Sequence, residues 1–295
     1  MENDLGDKSA SGRIPRVILG RYLSWLTYFG EEWVNSQIEN LLPPDNEALC
    51  DATWMGHLGL DWRPVVSLME YLRPCYMKEI AGLGIKAGSR QTRLEDRLGE
   101  FIINLYLGDA LPTDVLDEFW KKAPERLLRY CMWALGRYLK QPPSECPDEV
   151  RARGHAYWAA RLAIAKEAHE PDAFRKELGT FGQWCKGAFD VEWLIEQLCE
   201  MLSAGFAPES FGVIEWLAEI APKFPDKSVE ALLPLLSSPH TDQWAYLMHE
   251  ATIRAIMTRG LAEGTPKTKK RVEEIVSVLS SKGETKYTDL LPRAA

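Results

Sequence analysis

The segment His249-Glu250-Ala251-Thr252-Ile253 comes nearest to a catalytic signature in this 295-residue chain. A zinc-dependent peptidase carries two histidines one helical turn apart, with the intervening glutamate as general base. Ile253 stands where the second histidine is needed, so the ligand pair is missing and His249 is expected as a partly exposed helix residue. Cys50 and His57 share a helix face but lie two turns apart, ~10 Å along the axis. A thiol nucleophile must sit within hydrogen-bond reach of its base, so this pair cannot act together within its helix. His155 and His169 are more widely separated, and no histidine cluster has metal-ligand spacing. The cysteines Cys50, Cys75, Cys131, Cys146, Cys185 and Cys199 contain no CxxC pair. They are expected as buried, reduced thiols.

Phosphate chemistry has no cradle either, because GxxxxGK[ST] and strand-borne GxGxxG are both absent. The one glycine-rich stretch, Gly82-Leu83-Gly84-Ile85-Lys86-Ala87-Gly88, falls between two helices, where a flexible turn accounts for it. Adjacent carboxylates such as Glu31-Glu32, Asp117-Glu118 and Glu273-Glu274 point ~100° apart on a helix and form solvated faces rather than proton-transfer centres. These residues therefore imply no catalytic group, no cofactor site and no metal site.

Contact chemistry leaves more candidates. Lys267-Thr268-Lys269-Lys270-Arg271 is the one basic run, and it opens a helix, where cations oppose the dipole. A partner could offset that cost, with nucleic acid the obvious one, although no aromatics interleave for base stacking. A net charge of −8 gives no bulk counterion-release gain on DNA. The chain holds 11 tryptophans, spread over nearly every helix in the manner of interhelix wedges. Trp193 and Trp216 fall beside the core stripe of their helices. The candidate partner contacts are therefore Lys267, Lys269, Lys270, Arg271, Trp193 and Trp216.

The elements that must position these residues are helical. With 46% apolar and 26% charged residues the composition is that of an ordinary globular protein. No run of ~18 apolar residues suggests a membrane span, and Met1-Glu2-Asn3-Asp4 lacks the apolar region of a signal peptide. A cytoplasmic, membrane-free protein is the expectation. Val191, Leu194, Ile195, Leu198, Cys199 and Leu202 repeat at helical period behind Asp190 at the N-cap position, with Gly205 beyond the end. Similar patterns run from Pro15 to Tyr28, Glu31 to Leu42, Asp45 to Leu58, Pro64 to Ala81 with a break or kink at Pro74, Arg90 to Leu107, and from Pro124 through Leu139. They continue over Asp148 to His169, Asp172 to Lys186, 209–221, 226–237, 241–262 and 266–281. About fourteen helices joined by ~2–8 residues predict an all-α fold of antiparallel hairpins, an α-solenoid of the HEAT or TPR kind. The expected division is a flexible leader over 1–13, a repeat unit over 14–140, a proline-rich linker over 141–147, and a second unit over 148–295 packed on the first.

An internal echo supports a repeat. Leu19-Gly20-Arg21-Tyr22-Leu23 recurs as Leu135-Gly136-Arg137-Tyr138-Leu139, and each copy precedes a helix bearing a tryptophan, Trp33 or Trp158. Trp54-Met55-Gly56-His57-Leu58-Gly59 is echoed by Trp184-Cys185-Lys186-Gly187. If the echo is real, Gly20 and Gly136 face neighbouring helices closely, Leu19, Leu23, Leu135 and Leu139 are core, and Arg21 and Arg137 lie at the rim.

With these elements, Phe181-Gly182-Gln183-Trp184, Phe189-Asp190-Val191-Glu192-Trp193 and the closing Tyr287-Thr288-Asp289-Leu290-Leu291, the chain resembles the C-terminal helical regions of large bacterial proteins. Some of those carry sirtuin-like NAD-consuming domains or STAND-type P-loop NTPase modules, and several are anti-phage defence proteins. The shared motifs are structural, so no active-site residue transfers. The resemblance implies a noncatalytic recognition or scaffolding module with a protein partner, as sensor or scaffold of a bacterial defence system. Two alternatives stand beside it. One is a helical enzyme whose groups, drawn from His57, His155, Asp190 and Glu192, converge from distant helices. The other is a helical repeat that contacts nucleic acid through Lys267 to Arg271.

Overall fold

The structure is a computed structural model that describes residues 5–7, 9–61, 63–85, 88–170, 172–209, 211–238 and 248–291. Among these residues are fourteen α-helices, five short 3-10 segments and no strand, so the fold is all-α. The chain divides into two compact units, residues 1–131 and 132–295.

The first unit contains α1 (Arg13–Arg21), α2 (Leu23–Leu41), α3 (Glu47–Leu60), α4 (Met69–Ala81), α5 (Ser89–Leu107), α6 (Thr113–Lys122) and the first half of α7 (Glu125–Tyr138). The second holds the rest of α7, then α8 (Asp148–Glu167), α9 (Asp172–Leu178) and a 3-10 stretch (Gly179–Lys186). It continues with α10 (Val191–Ser203), α11 (Phe211–Ile220), α12 (Pro225–Ser237), α13 (Glu250–Glu263), α14 (Pro266–Ser281) and a closing 3-10 turn (Thr285–Leu290). The division thus falls inside α7 rather than in the proline-rich stretch 141–147. One helix feeds both cores, and the prolines make a connection with a 3-10 turn, Pro143–Glu145, inside the second unit.

Several helix ends follow directly from side chains. Asn46 accepts the Leu49 N–H at 3.3 Å and starts α3. Thr265 accepts the Thr268 N–H at 3.4 Å and starts α14, with Pro266 at the first position. Asp190 is the N-cap of α10, as its place in the sequence suggested, but its carboxylate makes no cap bond.

Three expectations are corrected. Residues 5–7 and 9–13 do not form a loose leader: Leu5 is buried, and the buried Arg16 guanidinium donates to the carbonyls of Leu5 (2.5 Å), Asp7 (3.1 Å) and Gly12 (2.9 Å). Pro74 does not break α4, because burial of Leu72, Cys75 and Tyr76 on either side holds the helix through the missing N–H. The stretch from Asp172 to Lys186 is α-helix only to Leu178 and 3-10 beyond. Of the helix expected over 241–262, positions 241–247 lie outside the described residues; Met248 is helical and α13 runs on from Glu250.

The two copies of the echoed pentapeptide bury the same positions. Leu19, Gly20 and Leu23 are buried and Arg21 and Tyr22 exposed; Leu135, Gly136 and Leu139 are buried and Arg137 and Tyr138 exposed. In the first unit a Cβ on Gly20 would overlap the Thr53 carbonyl oxygen and lie 3.1 Å from the His57 nitrogen. Reciprocally, a Cβ on Gly56 would overlap the Val17 carbonyl oxygen, so α1 and α3 cross backbone to backbone. In the second unit a Cβ on Gly136 would lie 2.8 Å from Trp184 Cδ1. The close neighbours are thus the elements of Trp54 and Trp184, not the helices of Trp33 and Trp158 that directly follow the pentapeptides.

The cores differ in character. The first sets a smaller aromatic group, with Trp54 4.8 Å from Tyr76, among buried Leu19, Leu23, Leu58, Leu72, Ile80 and Ile102. The second centres on aromatics: Trp184 lies 5.2 Å from Trp158 and 5.1 Å from Phe189, and Trp158 lies 4.9 Å from Phe181. Beside them a buried bidentate pair joins Arg161 to Glu177 at 2.6 and 2.7 Å.

Candidate functional site

α1 and α2 are apolar on both sides. Positions 16, 19, 20, 23 and 24 are buried, which defines the inner face. Ile14, Ile18, Tyr22, Trp25 and Phe29 recur at i, i+4, i+8, i+11 and i+15, the side opposite the buried one at helical period. They are exposed: Ile14 by 68%, Trp25 by 44%, Phe29 by 77%, with neighbouring Tyr28 at 71%. The aromatics support one another. Trp25 and Phe29 stack at 5.7 Å with planes 8° apart, and Tyr28 meets Phe29 edge-on at 4.9 Å. The Arg21 guanidinium carbon lies 5.4 Å from the Tyr22 ring centre. Arg21, one turn before Trp25, is exposed along this side, and the non-helical dihedrals of Gly30 (φ −154°, ψ 54°) separate it from exposed Glu31 and Glu32. Apolar and aromatic side chains exposed together offer the chemistry of contact. Its signal was present in the sequence as a second apolar stripe on a helix whose first stripe already filled the core.

Beneath α1, a cluster has the composition of a hydrolase triad and a different geometry. Ser24 Oγ donates to Asp61 Oδ1 at 2.6 Å, the Ser24 N–H donates to Asp61 Oδ2 at 2.9 Å, and His57 Nδ1 faces Asp61 Oδ2 at 3.1 Å. A triad needs the histidine on the serine hydroxyl; here the carboxylate takes both. All three side chains are buried. Asp61 is a long-range cap on the first turn of α2, supplied from the end of α3. An open groove of about 770 Å³ nearby is lined by Val17, Met55, Leu60, Arg93, Arg97 and Glu100 among others. Arg97 pairs there with Glu100 at 2.9 Å and donates to the Asp61 carbonyl at 2.9 Å, and Glu100 accepts from Tyr130 at 2.5 Å.

The residues singled out from sequence are not brought together. Lys267, Lys269 and Lys270 are exposed on the first turns of α14, while Thr268 between them is buried and bonds Asp226. Arg271 turns toward Glu230 at 3.5 Å and lines a small groove with Glu196, Cys199 and Lys227. Carboxylates thus alternate with the cations there, unlike a phosphate-binding surface. Trp193 is half-buried and stacks on His155 at 4.1 Å. Trp216 is 3% exposed and cannot meet a partner; α11 packs against the 3-10 stretch, α12 and α13, so a wide arc is covered, including positions beside its main stripe. His249 is buried rather than partly exposed, because it stands one turn before buried Ile253 on the inner side of α13. Lys86 and Trp244 lie outside the described residues.

Of the four groups named for a convergent active site, His155 lies within electrostatic reach of Asp190, but the set shares no site. His57 is committed to Asp61, His155 to its stack on Trp193, and Glu192 is exposed. None lines either groove. Among the described residues no group of three or more His, Cys, Asp or Glu could hold a metal ion. No helix among them is long and apolar enough to cross a membrane.

The fold and surface together define an all-helical protein with one exposed aromatic ridge. No protein-family model, curated protein or solved structure matches the chain.

Proposed function

We propose that this chain is a noncatalytic helical interaction module that takes a protein partner on the outer side of α1 and α2. One observation carries the proposal, the ridge of Ile14, Ile18, Tyr22, Trp25, Tyr28 and Phe29. Six such side chains offer on the order of 800 Å², the area each partner contributes to a standard stable interface. Aromatic anchors beside arginines are also the composition of binding hot spots. Exposed Arg21, over the Tyr22 ring, sets the chemistry of the partner: an apolar helix or groove edged by a carboxylate. A role as sensor or scaffold in bacterial anti-phage defence rests on the family resemblance of the tryptophan-bearing elements.

The test is the triple variant Ile18→Glu, Trp25→Glu, Phe29→Glu, compared with wild type by crosslinking and mass spectrometry in the native cell. All three sites are exposed, so circular dichroism and thermal melting should be nearly unchanged. A crosslinked protein partner should be lost from the variant, and Lys269→Glu, Lys270→Glu should retain it. A partner that survives the ridge variant would overturn the assignment. Self-association lost in the variant would instead identify the partner as a second copy, and vesicle binding lost in the variant would replace the protein partner with a membrane.

A further inference from the structure

Two thiols far apart in sequence meet where α3 packs on α4. Cys50 lies in the first turn of α3 and Cys75 directly follows Pro74 in α4, with their sulfurs 3.5 Å apart. Lys78, one turn beyond Cys75, pairs with Glu47 at 2.7 Å and Asp51 at 2.6 Å, the residues that bracket Cys50. The charges clamp the two helices beside the sulfurs. Cys50 is half-buried and reached by solvent, while Cys75 is buried behind it.

We propose that Cys50 and Cys75 are a redox modification site, which a small hydroperoxide converts to an intramolecular disulfide joining α3 to α4. The Cys50 thiolate attacks the peroxide, the O–O bond breaks, and the departing oxygen leaves as water or alcohol after taking a proton. Cys50 then carries a sulfenic acid. The Cys75 sulfur displaces the sulfenic oxygen, which leaves as water with the Cys75 proton as the S–S bond forms. Two thiols lose two electrons and two protons, and the peroxide accepts both.

The surroundings divide the roles. The contact with Cys75 favours the Cys50 thiolate and holds Cys50 below the usual thiol range; Lys78 adds to this, while partial burial and the Asp51 and Glu47 carboxylates oppose it. The same contact, together with burial, pushes Cys75 up. Cys50 is therefore the attacking sulfur and Cys75 the resolving one. Cys199, the other half-buried thiol, is pushed up by burial, as is buried Cys185. Disulfide formation requires the Cys50 and Cys75 sulfurs to approach by about 1.5 Å.

The experiment treats the full chain with hydrogen peroxide, removes the excess with catalase, unfolds the protein and labels thiols with N-ethylmaleimide for intact mass. Six labels are expected before treatment, four after it, and six again after dithiothreitol, with a peptide crosslink mapping to Cys50 and Cys75. Cys50→Ser should keep five labels with and without peroxide. Cys75→Ser should leave Cys50 as a sulfenic acid that dimedone captures. Six labels after peroxide, a crosslink between other cysteines, or covalent dimers through Cys50 would each overturn the proposal.

Discussion

Leu19 to Leu23 and Leu135 to Leu139 are the same five residues with the same burial, and they are held in two ways. In the first unit Gly20 and Gly56 let two helix backbones touch, and no side chain stands between them. In the second, Gly136 receives the edge of the Trp184 indole, whose Nε1 donates to the Met132 carbonyl at 3.2 Å. The outer sides diverge further. The positions matching Ile14, Ile18, Tyr22, Trp25 and Phe29 are Tyr130, Ala134, Tyr138, Gln141 and Glu145. The shared word preserves what faces inward, and the apolar ridge occurs on one copy alone. A packing requirement therefore accounts for the repeat, and the ridge needs an explanation outside the fold.

The buried charges give the largest way to break this comparison. In the second unit Arg161 and Glu177 neutralise each other in the aromatic core, whereas in the first Asp61 is satisfied by Ser24 and His57. Arg161→Met should destabilise the protein by about 3–5 kcal/mol in urea unfolding, because Glu177 is left charged and buried. Replacing both partners, as Arg161→Met with Glu177→Leu, should recover much of that loss. A double variant as unstable as the single one would assign the cost to lost packing around the guanidinium stem.

The glycines come next. Gly20→Ala sets a methyl against the Thr53 carbonyl oxygen, and a backbone cannot rotate away. The cost should reach about 3 kcal/mol, the upper end of overpacking. Gly136→Ala meets a side chain, which yields by a small tilt, so about 1–2 kcal/mol is expected. Equal losses in chemical unfolding would remove the distinction between backbone and indole contact.

Much of this architecture was legible. Helical period fixed α10 and α14 closely, Pro266 marked the start of the latter, and the repeated pentapeptide located two glycines that both face close neighbours. The leader was misread because Leu5 and Arg16 carry their meaning only through contacts with each other and with Asp7 and Gly12. Trp216 was misjudged because one stripe was assigned per helix, whereas α11 has several neighbours. The ridge follows from the same physics, since Ile14, Ile18, Tyr22, Trp25 and Phe29 form a second apolar stripe beside the one that fills the core. The thiol pair was beyond sequence reasoning: Cys50 and Cys75 lie on different helices, and only the packing of α3 on α4 joins them.

The smallest expected effect tests whether the second copy is held by aromatics. Trp184, which meets Gly136, stacks on Phe189, and Phe189 lies 5.1 Å from the His155 ring. His155 also stacks on Trp193, so the imidazole closes the edge of the cluster. Burial holds His155 below the usual histidine range; the nearby Asp190 charge opposes this and Arg151 adds to it. Between its lowered value in the fold and ~6.5 in the unfolded chain, the unfolded state binds more protons, so stability rises with pH across that window. Acidification from pH 7.5 to 5.5 should therefore weaken the native protein through this group. Solvent screening of a half-buried ring keeps the effect to no more than about 0.5 kcal/mol. His155→Gln removes the titration, and its unfolding midpoint should fall less than that of wild type over the same interval. Indistinguishable pH slopes would show that proton uptake at His155 does not reach the aromatic cluster. The indole at Gly136 would then be held by Met132 and Trp158 without help from the histidine edge.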